Sequence, residues 1–165
     1  MLAPLQLDDV VVESLLVRTN TDELPDPVSA DQTPVPDVSL DILRVENELK
    51  FLIPFLVRIN HRKADFRRYG YSVELKVLGF FSFPDKFEEH EAGHMIHTNG
   101  PAILYGVARG IIVQTLALTI AGKVILPSVN FVEIMRRRDH RLHRRRMLNA
   151  TLKEDDSPVS SPAKS

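Results

Sequence analysis

Residues 101–122 read PAILYGVARGIIVQTLALTIAG. Pro101 suits the first turn of a helix, where its missing N–H costs nothing. Gly122 suits a C-terminal stop. Between them Arg109 and Gln114 are the main polar interruptions, so the pattern predicts a helix that is apolar nearly all round. Such a helix is either covered on more than one side or crosses a membrane. The apolar stretch after Arg109 is shorter than the ~20 residues of a span, so no membrane insertion is expected. The expectation is a helix covered on one side by the chain's own sheet and on the other by a second subunit, with Ile112 and Leu116 at that interface.

Upstream the period changes from helix to strand. Residues 69–83, YGYSVELKVLGFFSF, place Tyr69, Tyr71, Val73, Leu75 and Val77 on one face and Ser72, Glu74 and Lys76 on the other. That alternation predicts a half-buried strand. FLIPFLVRINH (51–61) and VSLDILRVE (38–46) alternate similarly, and Pro54 marks an edge or a bend in the first of them. VVVESLLVR (10–18) reads as the first strand. HRKADFRR (61–68) reads as a solvated turn. Four prolines and five acids fill 21–37, an extended acidic connection.

Downstream, KVILPSVNF leads to a basic final helix at 129–149. Residues 136–146, RRRDHRLHRRR, hold seven arginines and one acid. The tail, 151–165, is polar and reads as disordered. Strands followed by helices predict an α+β domain over 1–150, with helices on one face of an antiparallel sheet. The net charge is −1 and cysteine is absent, which removes thiolate metal sites and fits a cytoplasmic chain. The first residues lack the basic n-region and cleavage site of a signal peptide.

HEAGHMIH (90–97) contains H-E-x-x-H, the short signature of a zinc metallopeptidase. A zinc site through His90, Glu91 and His94 needs both histidines on one face of a long helix. Here the string follows Pro84 closely and ends before Asn99-Gly100-Pro101. The expectation is a polar connector with surface histidines, no metal, no cofactor and no catalytic residue. No phosphate-binding glycine loop or nucleophile elbow is present. The arginine run could contact phosphates, but it lacks interleaved aromatics, so no direct nucleic-acid partner is expected.

GFFSF at 79–83 and PAILYGVARGIIVQTLALTIAGKVILPSVNFVE at 101–133 resemble the SecB export-chaperone family. Pro101, Ile103, Leu104, Tyr105, Ala108 and Arg109 match one block of that family's pattern, and Leu126, Pro127, Val129, Asn130 and Phe131 match its L-x-P-V-N-F signature. FLVRINH and VVVESLLVRTN sit where two of its strands sit. The resemblance implies a four-stranded antiparallel sheet backed by two helices, assembled as a dimer of dimers, a homotetramer without enzymatic activity. It implies a chaperone that binds unfolded polypeptides, keeps preproteins translocation-competent and so serves protein transport. Client binding would then fall to Phe80, Phe81, Phe83, Leu126, Val129 and Phe131. Acidic residues of the family's sheet dock the SecA motor. Glu74 matches one such position, but Ser14 and Arg18 stand where acids are expected. Weakened SecA binding follows, and a toxin–antitoxin partner, with an antitoxin as client, is the alternative.

Overall fold

The computed structural model describes residues 3–21, 33–45, 48–119, 121–122 and 124–136. In chain order the elements are β1 (Gln6–Thr19), β2 (Asp37–Leu40), β3 (Leu43–Arg44), β4 (Lys50–Ile59), α1 (Lys63–Tyr69), β5 (Tyr71–Ser82) and α2 (Glu89–Ala117). All strand pairings are antiparallel, in the order β1-β5-β4-β2, with β3 also on β4. The α+β expectation with an antiparallel sheet holds, although α1 interrupts the run of strands.

The alternation in β4 and β5 becomes burial. Ile53, Phe55, Val57 and Ile59 on β4, and Val73, Leu75, Val77 and Phe81 on β5, are at most 2% exposed. Cross-strand partners share a face, so the pairs Phe55↔Val77 and Phe51↔Phe81 build one apolar layer. Burying each such side chain contributes roughly 1.5–3 kcal/mol. Phe51, Phe83 and Phe87 close one end, with an edge-on contact at 5.8 Å and a stacked one at 5.2 Å.

One edge is interrupted, and Pro54 explains why. In a strand the N–H and C=O of one residue point to the same side. The Pro54 carbonyl accepts from the Asp41 N–H at 3.1 Å, so its missing N–H faces that same edge. The ladder breaks there, and the expected strand at 38–46 becomes β2 and β3 with Asp41 and Ile42 between them. Pro54 itself stays inside β4, a correction to its reading as a bend.

Two helical expectations are also corrected. Residues 63–69 form a helix instead of a turn, closed by Gly70 at φ 72°. That left-handed cap favours glycine. The main helix starts at Glu89, not Pro101, and ends at Ala117, short of Gly122. Pro101 therefore lies inside it, which usually costs about 3 kcal/mol. Packing compensates. Ala92, Ile96, Gly100, Leu104, Ala108, Ile112 and Leu116 form a buried stripe at every fourth residue. A Cβ on Gly100 would meet Ile53 Cδ1 at 2.8 Å, and one on Gly79 would meet Leu104 Cδ2 at 2.5 Å. Helix and sheet thus approach closely, each placing a glycine under a side chain of the other. By length and composition α2 is apolar enough to cross a bilayer, yet this stripe packs it on β4 and β5 as a core helix.

The chain divides into two compact units, Met1–Val129 and Asn130 onward. In the second, 131–136 are helical, and Asn130 Oδ1 accepts from the Glu133 N–H at 3.2 Å as an N-cap. The rest of the expected helix at 129–149, most of the arginine run and the tail lie outside the described residues.

Candidate binding surfaces

The expected groove residues do not gather on one surface. Phe81, Phe83 and Leu126 are buried, at 1%, 7% and 0% exposure. Phe80 points to the opposite face of β5 and stays 38% exposed. Val129 is half-buried. Phe131 is buried and belongs to the second unit. Ile112 and Leu116 are fully enclosed within the chain. They serve its core, so a contact with a second subunit has to use other residues.

What is uncovered lies elsewhere. No residue of β1 is buried, although it is rich in valine and leucine. Register assigns Val12, Leu15 and Val17 to the α2 side, opposite Val77, Leu75 and Val73. Val12 and Leu15 are nevertheless 45% and 38% exposed. β1 is also an edge strand, paired only with β5 among the described strands. The sequence signal for this row was present in VVVESLLVR, but periodicity cannot show that the covering helix stops short of it.

A second surface lies along α2. Gly106, Arg109, Gly110, Val113 and Gln114 face Val124, Ile125 and Leu126 across a depression of about 410 Å³. The Tyr105 hydroxyl donates to the Pro127 carbonyl at 2.7 Å and pins this segment to the helix. Burial raises the Tyr105 pKa. Ile125 is 66% exposed. The chain thus holds its Leu126-Pro127 segment against α2 through this hydrogen bond and the burial of Leu126.

The third surface is the sheet face turned away from α2. Register places Asp9, Phe80, Leu52 and Leu43 in one row, and Val11, Leu78 and Pro54 in the next. Ser14, Lys76, Leu56 and Ser39 follow, then Leu16, Glu74, Arg58 and Asp37. Arg58 Nε donates to Glu74 Oε2 at 2.8 Å. That bond holds the Glu74 carboxyl below its ordinary pKa, with Lys76 and Arg18 adding smaller attractions. Ser14, Arg18 and Glu74, expected as partner contacts, therefore do lie together on one face.

His90 and His94 fall in the first turns of α2, both exposed, at i and i+4. The short-connector expectation is corrected here, because the string is helical. Glu89 pairs with Arg44 of β3, which holds the Glu89 carboxyl below its usual range. Among the described residues no group of three or more His, Cys, Asp or Glu is placed to hold a metal ion.

No family model and no curated protein matches the chain. Among solved structures it is similar to the Mycobacterium tuberculosis SecB-like chaperone Rv1957, solved in complex with a ChAD peptide from the Rv1956 HigA1 antitoxin. Identity is 11%, the TM-score is 0.55, and the match covers 76% of this chain and 88% of that one. A Streptococcus agalactiae protein of unknown function aligns at 9% identity and a TM-score of 0.37, over 76% of this chain and 97% of that one. The antiparallel sheet with a long helix packed on β4 and β5 matches a SecB-like fold.

Proposed function

We propose that this protein is a SecB-like chaperone that binds unfolded polypeptides without catalysis. The carrying observation is β1, whose α2-side valines and leucines stay exposed beside an otherwise closed core. A non-native chain offers apolar side chains and unpaired backbone groups. An uncovered apolar row on an edge strand accepts both, since strand addition supplies backbone hydrogen bonds and alternate side chains pack. Several such contacts along one groove add by multivalency. Client contact is assigned to Val12 and Leu15 of β1. Among the residues first expected there, Val129 remains an accessible candidate.

A homotetramer is part of the same proposal. A long, exposed edge strand is a liability unless something covers it, and a second copy does so between clients. The likeness to a chaperone in complex with an antitoxin peptide favours an antitoxin client over preprotein export. Without SecA-type acids at Ser14 and Arg18, delivery to SecA is the weaker reading.

The test is aggregation of a slowly folding client, followed by light scattering without ATP. The full chain should suppress it at or below one tetramer per client, and Val12→Asp with Leu15→Asp should abolish suppression. Failure against every client tried, with the protein folded, removes the chaperone reading.

A further inference from the structure

We propose that the free edge of β1 takes client chain in short extended segments of about six residues along Ser14–Thr19, and that the bulge at Glu13 is the stop that sets this length. This rests on the reading of β1 as the client surface, and it adds the length and pattern of chain that the surface accepts.

The register is the first observation. β1 pairs with β5 without interruption from Asp9 to Val12 and again from Ser14 to Thr19, runs of four and six residues. Between them the pairing steps from Val12↔Val77 to Ser14↔Lys76, so Glu13 is an extra residue with no counterpart on β5. A second shift, between Leu7 and Asp9, closes the shorter run at its other end. In a regular strand successive residues turn their N–H and C=O groups to opposite edges, so the groups on a free edge recur at every second residue. An extra residue breaks that count. A strand in step with the free groups of Ser14–Thr19 is therefore out of step with those of Asp9–Val12. At about 3.4 Å per residue the longer run offers a seat of roughly 20 Å.

Side chains favour the longer run as well. Asp8, Asp9 and Glu13 are exposed and bracket the shorter one at both ends. Bulges and charged residues are the usual means of blunting a sheet edge. Ser14–Thr19 holds no acid. Its Leu15 and Val17 lie on the α2 side, and Ser14, Leu16 and Arg18 on the other. Leu15 and Leu16 are 38% and 47% exposed, so neither face of this run is closed at its centre. Side chains of adjacent strands pack in cross-strand pairs. The segment that fits therefore carries apolar side chains beside Leu15, Leu16 and Val17, and polar ones beside Ser14 and Arg18. A long unfolded chain then engages one short segment per copy, and several copies add by multivalency.

The experiment uses the full chain and two fluorescent peptides that alternate valine and serine, one as long as the six-residue run and one as long as both runs together, ten residues. Binding is read by anisotropy, and the seat by amide hydrogen exchange. Both peptides should protect amides within Ser14–Thr19 and leave those of Asp9–Val12 exchanging as before. Deletion of Glu13 keeps every β1–β5 pair and makes the ladder continuous, so circular dichroism should be unchanged. The longer peptide should then bind about tenfold tighter than it binds the unmodified chain, roughly 1.4 kcal/mol, and should protect Asp9–Val12 too. The shorter peptide should change by less than about twofold, well under that step. Protection over both runs in the unmodified chain, or no gain for the longer peptide when the folded variant lacks Glu13, overturns the proposal and leaves β1 as the client surface. Peptides that protect neither run, or that bind equally well after Val12→Asp with Leu15→Asp, remove the client reading and this proposal with it. Should the deletion variant fail to fold, the exchange pattern of the unmodified chain decides alone.

Discussion

β4 and β1 flank the same strand, and both are rich in leucine and valine. β4 buries every second residue, while β1 buries none. Apolar content does not separate them. Position relative to α2 does, because the helix packs on β4 and β5 and leaves Val12 and Leu15 uncovered. The same kind of sequence is core in one strand and surface in its neighbour.

Substitutions should expose that difference most strongly. Phe55→Ala on β4 should cost about 3–5 kcal/mol in urea unfolding, the usual range for a large buried side chain. Leu15→Ala should cost well under half of that in dilute protein. Ile112→Asp should prevent folding, because its charge is enclosed without a partner. Leu15→Asp should leave the fold intact and lower the assembled mass seen by light scattering. If Leu15→Ala proves as costly as Phe55→Ala at every concentration, β1 is core and the contrast collapses.

A smaller effect lies in the alkaline range. Burial pushes the Tyr71 hydroxyl up to about 12, partly offset by the neighbouring Asn60 side chain. A raised folded pKa leaves stability intact below the unfolded value near 10 and removes it as pH rises through about 12. Melting temperature should therefore drop across that window, and Tyr71→Phe should flatten the drop. Glu74 works with the opposite sign. Its folded pKa is depressed by Arg58, so its contribution is present above the unfolded value of about 4.3 and fades as pH falls through the folded one. Being exposed, the pair should matter little, and Glu74→Gln should change acid melting only slightly. The least effect is expected from His90→Ala with His94→Ala. Melting and client binding should stay unchanged, and stoichiometric zinc lost in that variant would reopen the metalloenzyme alternative.

The strands and the buried faces of β4 and β5 were legible in alternation, because period and burial coincide there. Helix limits were not. Pro101 carries the local signature of a helix start, but Gly100 against Ile53 and Leu104 over Gly79 reward a helix that continues through it. Local propensity lost to packing that no window of sequence contains. The turn at 61–68 was misread for a simpler reason. Asp65 in the first turn, Arg67 and Arg68 in the last, and Gly70 at the cap are ordinary helix signals on a very short segment. The candidate groove was half legible. Hydrophobicity alone could not tell that Phe81 and Leu126 close the core and that Val12 and Leu15 do not.

The strand order also sets a clock. β1 is made first, but its hydrogen-bonding partner β5 is the last strand to be synthesised. At roughly 5–20 residues per second, β1 waits on the order of seconds with a β-prone, apolar sequence and no mate. Pairings between distant segments also form slowly once both are present. Each nascent copy is thus for a time the kind of exposed strand that the finished protein is proposed to hold. A polysome crowded with such chains is where completed copies would find their earliest client, their own unfinished kin.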